Sequence, residues 1–291
     1  MQHRPLGPEA RNVTEIGYGG MPLSISGRPD EKQGIGVIHA VLDAGVNLID
    51  TANVYCLDDD DIGHNERLIA KALAGWSGER DKLVIATKGG LTRPQGRWER
   101  DGDPARLKAA CERSLEALGV EQIDLYQLHA PDPEVPFEDS VGAMVELQQE
   151  GKIRWVGLSN VSVEEIRTAE KLIHVQTVQN RLNPFFREAL DEGVARYCAS
   201  RGIGFLAYSP VGGGRLNKKL PTHPVLKPIA EAHGVSPHAV AIAWVMAQAD
   251  SVIPIPGAST VDHALDAFSA ADVHLTADEL AAIDAAEFSI A

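Results

Sequence analysis

The chain has 291 residues, is 44% hydrophobic and carries a formal charge of −14. That length allows one domain with a large core, and the acidic balance excludes a nucleic-acid or anionic-membrane surface, which needs a basic face. Cys56, Cys111 and Cys198 form no C-x-x-C pair, so neither a disulfide framework nor a zinc site is suggested, and the lack of an apolar leader or spanning run reads as a cytoplasmic protein.

Strand-like and helix-like segments alternate along the chain. A first strand is expected over residues 15–20, ending in Gly19-Gly20-Met21-Pro22. Ile35, Val37, Ile38, Val41 and Leu42 recur at helical spacing, with Gly45 as the C-cap. A buried strand over 46–50 follows and ends at Asp50, with Tyr55 on the loop that leaves it. A helix near 65–74 leads to strand 83–87, which ends at Lys88. Asp103-Pro104 opens the next helix, and strand 123–128 ends at His129. A helix from Pro136 precedes strand 153–158, which ends at Ser159-Asn160, and Ser162 with Glu165 makes a capping box. Strand 175–178 ends at Gln179, and strand 203–207 ends at Tyr208-Ser209-Pro210. The glycines Gly212, Gly213 and Gly214 then enter a proline-rich loop reaching about residue 228. Ser236-Pro237 starts a helix that is apolar nearly all round, strand 251–255 follows, and a last helix begins at the Thr276-x-x-Glu279 box.

Eight strand–helix units close most simply into a single-domain (β/α)₈ barrel over residues 1–291. A doubly wound sheet would need a G-x-G-x-x-G turn after the first strand, and none is present. In a barrel the residues just past the strands' carboxyl ends share one mouth. Here they supply Met21, Asp50, Lys88, His129, Asn160, Gln179 and Tyr208, with Tyr55 close by. Asp50 with Lys88 alone would read as a structural ion pair, and His129 alone as a satisfied buried histidine. Together with Tyr55 they make an acid–base set: a phenol that needs a cation to stabilise its phenolate, an amine to be that cation, an acid to pair with the amine, and an imidazole for the reacting oxygen. Such help accelerates a reaction by roughly 10²–10⁴-fold, and needs a partner that carries electrons.

With these residues in place the chain resembles the aldo-keto reductases over nearly its whole length. The matching stretches include Asn47-Leu48-Ile49-Asp50-Thr51-Ala52-x-x-Tyr55, Gly63-His64-Asn65-Glu66, Asp124-Leu125-Tyr126-Gln127-Leu128-His129, Gly157-Leu158-Ser159-Asn160 and Ala207-Tyr208-Ser209-Pro210. The resemblance implies reduction of an aldehyde or ketone, or oxidation of an alcohol, by hydride transfer with NADP(H), NAD(H) being a possible substitute. It implies that Tyr55 is the general acid, that Lys88 lowers its pKa, that Asp50 holds Lys88 and that His129 orients the carbonyl. Cofactor contacts are implied at Gly20, Met21, Ser159, Asn160, Gln179, Tyr208, Ser209, Pro210, Val211, Gly212, Gly257, Ala258, Ser259 and His263. Many members carry Lys or Arg in the last of these loops, where this chain has Ser259, Thr260 and His263. Met21 and Trp98 are the expected substrate-pocket residues, with Trp76 and Trp155 left to packing, and no metal is expected. The run Asp58 to Asp61 lacks the spacing of a calcium loop and is expected at the substrate mouth, where it would disfavour anionic substrates. The alternative on the same fold is a regulatory subunit whose bound nicotinamide reports redox state to a partner with little turnover.

Overall fold

Apolar runs that alternate between two buried environments form the eight strands of one parallel sheet. The computed structural model describes residues 1–9 and 12–291. The strands are β1 (Tyr18–Gly19), β2 (Leu48–Asp50), β3 (Val84–Gly89), β4 (Ile123–Leu128), β5 (Ile153–Ser159), β6 (Val175–Arg181), β7 (Gly204–Tyr208) and β8 (Val252–Ile255). Each pairs in parallel with its neighbour in sequence. The seam between β8 and β1 is bridged by backbone hydrogen bonds from Gly17 to Pro254, 2.9 Å, and from Gly19 to Pro256, 3.0 Å. The expected (β/α)₈ barrel is therefore the fold.

Alternation along each strand sorts side chains between two cores. Leu48, Val84, Ala86, Leu125, Trp155, Leu206 and Ile253 fill the barrel interior. Their neighbours Ile49, Ile85, Tyr126, Val156, Phe205 and Val252 pack outward against the helices. Those helices are α1 (Glu31–Asp43), α2 (His64–Ala74), α3 (Pro104–Leu118), α4 (Phe137–Gln149), α5 (Val163–Ala169), α6 (Val194–Arg201), α7 (Pro237–Met246) and α8 (Val261–Phe268). The helix starts legible in the sequence carry their caps: Asp103 accepts from Arg106 N, Ser236 accepts from Ala239 N, and the Ser162–Glu165 and Thr276–Glu279 boxes are complete.

Three segments differ from expectation. The first strand, expected over 15–20, keeps ladder pairing only at Tyr18–Gly19, and ahead of it Asn12–Thr14 makes an antiparallel pair with His3–Pro5. In the long loop after β3, Leu91–Thr92 pairs with Glu99–Arg100 as a small hairpin. The stretch expected as a glycine- and proline-rich loop holds a helical turn (Gly213–Leu216), a 3₁₀ segment (Asn217–Thr222) and a helix (Leu226–His233).

The amino-terminal pair closes the floor of the barrel. Leu6 and Val13 are fully buried in the interior cluster. Arg4 Nη1 donates to the carbonyls of Met246, Ala249 and Val252 at 3.1, 3.1 and 2.7 Å, satisfying groups left open past the end of α7. Gly204 makes this closure possible, since a Cβ there would lie 2.5 Å from the Leu6 carbonyl oxygen. Gly204→Ala should cost about 1–3 kcal/mol of stability, read from denaturant unfolding, because backbone rather than a side-chain tip must yield.

Candidate active site

The alternation that fills the interior with aliphatic side chains places polar ones at its upper layer. Two residues beyond Leu48 on the same face comes Asp50; two beyond Ala86 comes Lys88; two beyond Leu125 comes Gln127; two beyond Leu206 comes Tyr208. Lys88 and Asp50 are buried, and Lys88 Nζ lies 2.5 Å from Asp50 Oδ1. The ammonium also donates to the Thr51 carbonyl at 2.9 Å and to the Tyr55 hydroxyl at 3.0 Å, so its three protons have three acceptors. The far carboxylate oxygen of Asp50 accepts from Gln127 Nε2 at 3.1 Å and Gln179 Nε2 at 2.8 Å. A charge removed from water is tolerated only when paired and hydrogen-bonded throughout, and this pair is.

Burial raises the Tyr55 phenol above its ordinary pKa, and the Lys88 ammonium opposes that rise without cancelling it. The net direction is upward, whereas the resemblance implied a lowered value; desolvation of the phenolate outweighs the cation. Burial alone would pull Lys88 down, but Asp50 and then Tyr55 hold it above its ordinary value. His129 is pushed well below the usual imidazole range by burial and by Lys88, so its ring is neutral. Its Nδ1 is buried without a hydrogen-bond partner among the described residues. The Tyr55 and His129 rings meet edge to face at 5.9 Å, and Trp98 closes on both at 6.3 Å.

These groups open into one cavity of about 840 Å³. Single ligand pockets span roughly 300–1,000 Å³, and this one lies in the upper part of that range, large enough for an extended ligand. Asp50, Tyr55, His129, Met21 and Trp98 line it; Lys88 stands behind Tyr55. Ser159, Asn160, Gln179, Tyr208, Ser209, Pro210 and Val211 form the wall beside them, and Gly257, Ala258, Ser259 and His263 continue it. Asn160 is held by its amide on the His129 carbonyl, 2.9 Å, and by the Tyr208 hydroxyl, 2.8 Å. Asn160 and Ser209 have positive φ, 57° and 51°, a strained conformation for residues with a Cβ and one that gathers at binding sites.

Two residues expected at the cofactor stand outside the cavity wall. Gly20 gives its N–H to the Asp50 carbonyl and faces Asn65, whose Oδ1 would lie 2.5 Å from a Cβ there. Gly212 turns the chain at φ 86° and packs against Leu216 and Phe185, while Gly213 and Gly214 take the wall position. The aspartate run is likewise absent from the wall. Asp61 pairs with Arg28 at 2.5 Å, and Asp59 accepts from Gln95 N at 3.3 Å, so the run ties the β2 loop to the β3 loop. Cys56 is buried, with its thiol pushed up to about 11 by desolvation, which makes it inert. Trp155 belongs to the barrel interior and Trp76 packs partly buried with its N–H on Asp43. Among the described residues no cluster suited to a metal is found, and no helix is long and apolar enough to cross a membrane.

Sequence reasoning assigned nothing to Gln127, Thr51 or Arg100. Gln127 was signalled by its place two residues before His129 on a strand facing inward. Thr51 acts through its carbonyl, which no residue type reveals. Arg100 reaches the wall only because a hairpin forms in its loop.

A family model described as the aldo/keto reductase family matches residues 15–287. An uncharacterised oxidoreductase of Schizosaccharomyces pombe is 35% identical over 277 residues, covering 94% of this chain and 86% of that protein. The glycerol dehydrogenase of Gluconobacter oxydans superposes with a TM-score of 0.83 at 30% identity, covering 97% of this chain and 93% of that one. An aldo-keto reductase from Klebsiella pneumoniae, solved in complex with NADPH, superposes with a TM-score of 0.82 at 27% identity, covering 98% and 94%.

Proposed function

The chain belongs to the aldo/keto reductase family, and from that premise we propose that this oxidoreductase reduces an aldehyde or ketone with NADP(H), Tyr55 acting as the acid. The observation that carries the reading is the Lys88 ammonium bonded at once to Asp50, 2.5 Å, and to the Tyr55 hydroxyl, 3.0 Å, at the wall of the cavity. Hydride is what these side chains lack, and reduced nicotinamide supplies it when bound.

The wall fits such a cofactor. Ser159, Asn160 and Gln179 offer amide and hydroxyl groups for a carboxamide, and the Tyr208 ring is a surface for stacking. Gly214 has no neighbour within 4 Å of where a Cβ would be, and Gly213 only the Ser209 hydroxyl at 3.9 Å, so backbone there is open to a diphosphate. Ser259, Thr260 and His263 stand at the start of α8, where free N–H groups favour an anion such as a 2′-phosphate.

In the reduction Tyr55 gives its proton to the oxygen of the substrate as charge develops there. The phenolate left behind is stabilised by Lys88, which Asp50 holds charged and in place. His129, neutral and set edge-on to Tyr55, donates one N–H to the same oxygen and thereby fixes the carbonyl's direction. Trp98 covers part of the mouth on that side.

Aldehyde-dependent oxidation of NADPH, followed by absorbance across a panel of aldehydes and ketones, tests the reading; cofactor binding without turnover on any of them would overturn it. Because the Tyr55 pKa is raised, its proton-bearing form persists to higher pH than a free phenol's. Because His129 is depressed, it adds no ionisation near neutrality. The rate of reduction should therefore be nearly flat from about pH 6 to about pH 9, whereas alcohol oxidation, which needs the phenolate, should still be rising there.

A further inference from the structure

The side of the cavity nearest Tyr55 carries an arginine, Arg100, that makes no salt bridge among the described residues. The Leu91–Thr92 and Glu99–Arg100 hairpin leans over the mouth, and Leu91, Trp98 and Arg100 line it together with His129 and Ala130. Arg100 is anchored by one Nη1 hydrogen bond to the carbonyl of Pro131, which follows Ala130. That contact leaves most of its N–H groups unused.

The carboxylates nearby bond to other groups, although the Arg100 charge still reaches Asp132 and, after the Gly102 N–H, helps hold it below its ordinary range. Glu99 pairs with Arg97 at 2.9 Å, Asp101 pairs with Arg106, and Asp61 pairs with Arg28 at 2.5 Å. Asp132 accepts backbone N–H groups of Gly102 and Glu134 at 2.9 and 3.0 Å. Among the described residues none forms a salt bridge to Arg100. A second guanidinium strengthens the field: Arg93 is buried and lies 3.9 Å from the centre of the Trp98 ring. Its Nη2 donates to the carbonyls of Cys56 and Leu57 at 3.2 and 3.1 Å, while Nε and Nη1 find no hydrogen-bond partner among the described residues. Trp98 is thus stacked on one cation and shares the cavity wall with another.

From this we infer that Arg100 is an anion-recognising specificity residue, and that the substrate carries a carboxylate remote from its carbonyl. The inference rests on the reductase reading above and narrows its substrate class. A planar guanidinium offers parallel N–H groups that match the two oxygens of a carboxylate. The carbonyl then lies toward Tyr55 and His129, with the apolar middle of the molecule along Leu91 and Trp98. The chain's overall negative charge makes this local reversal of sign selective.

The test compares carboxybenzaldehydes with their methyl esters, using NADPH-loaded protein. The ratio of kcat/KM, acid over ester, should be roughly tenfold to hundredfold, expressed mainly in KM and diminished by salt. Arg100→Gln should bring the ratio close to one, and Arg100→Lys should restore part of it. In parallel, calorimetric titration with benzoate and with benzamide should show benzoate preferred by the wild type but not by Arg100→Gln. Turnover of both aldehydes with no preference, or a preference untouched by Arg100→Gln, overturns the inference and leaves the reductase reading standing. Arg100-dependent benzoate binding without turnover of any aldehyde supports the anion site and overturns the reductase reading.

Discussion

Tyr55→Phe should lower carbonyl turnover by roughly 10²–10⁴-fold while NADPH still binds. The substitution removes one oxygen and leaves the ring that packs edge to face on His129 and Trp98. Lys88 loses the acceptor at 3.0 Å but keeps Asp50 Oδ1 and the Thr51 carbonyl, so no buried charge is orphaned and folding stability should move by only about 1 kcal/mol. The loss is therefore confined to the proton step. Steady-state kinetics beside a fluorescence titration of the cofactor separate the two effects. Turnover near the wild-type rate would take the acid's role from Tyr55.

Asp50→Leu is expected to do the opposite kind of damage and to destabilise the fold by about 3–5 kcal/mol. It leaves the ammonium of a fully buried Lys88 without its counter-charge and the Gln127 amide without its acceptor, while Gln179 keeps only its longer bond to Gln127 Oε1, 3.2 Å. Burial, the largest influence on Lys88, would then act unopposed by the carboxylate and depress its pKa below the ordinary value. A lysine depressed in the folded state holds fewer protons there than in the unfolded chain, so stability rises with pH. The variant should thus regain stability as pH approaches about 10, a trend the wild type lacks at this residue. Asp50→Leu combined with Lys88→Met should recover much of the lost stability and none of the activity, since an apolar pair of similar volume often replaces a buried ion pair without penalty. Denaturant titrations of the wild type, Asp50→Leu and the double variant decide it; Asp50→Leu as stable as the wild type would show that the pair is not what holds the mouth together.

The barrel was legible because its evidence is periodic. Strand and helix signals repeat eight times, and caps such as Asp103-Pro104 and Ser162 with Glu165 mark their starts in local chemistry. The candidate acid–base residues were legible because Asp50, Lys88 and His129 stand at or next to strand ends and Tyr55 on the loop just beyond one. What escaped were features set by contacts between distant segments. Nothing local in Asn12–Thr14 says that it pairs with His3–Pro5. The four aspartates read as a charged mouth because charge was all that sequence displayed; Arg28 and the Gln95 backbone, which draw them aside, lie far along the chain. Gly20 and Gly212 were grouped with the cofactor by adjacency, and only the space around each shows which way the backbone turns.

The bonds that converge on Asp50 reach across 38, 77 and 129 positions of sequence, to Lys88, Gln127 and Gln179. Such partners meet late, after most of the chain's freedom has been surrendered. A nascent or cleaved polypeptide holding only β1 to β3 would have the phenol, amine and acid yet lack both amides that steady the acid. Chemical competence is accordingly a property of the completed ring, and half a barrel is not half an enzyme.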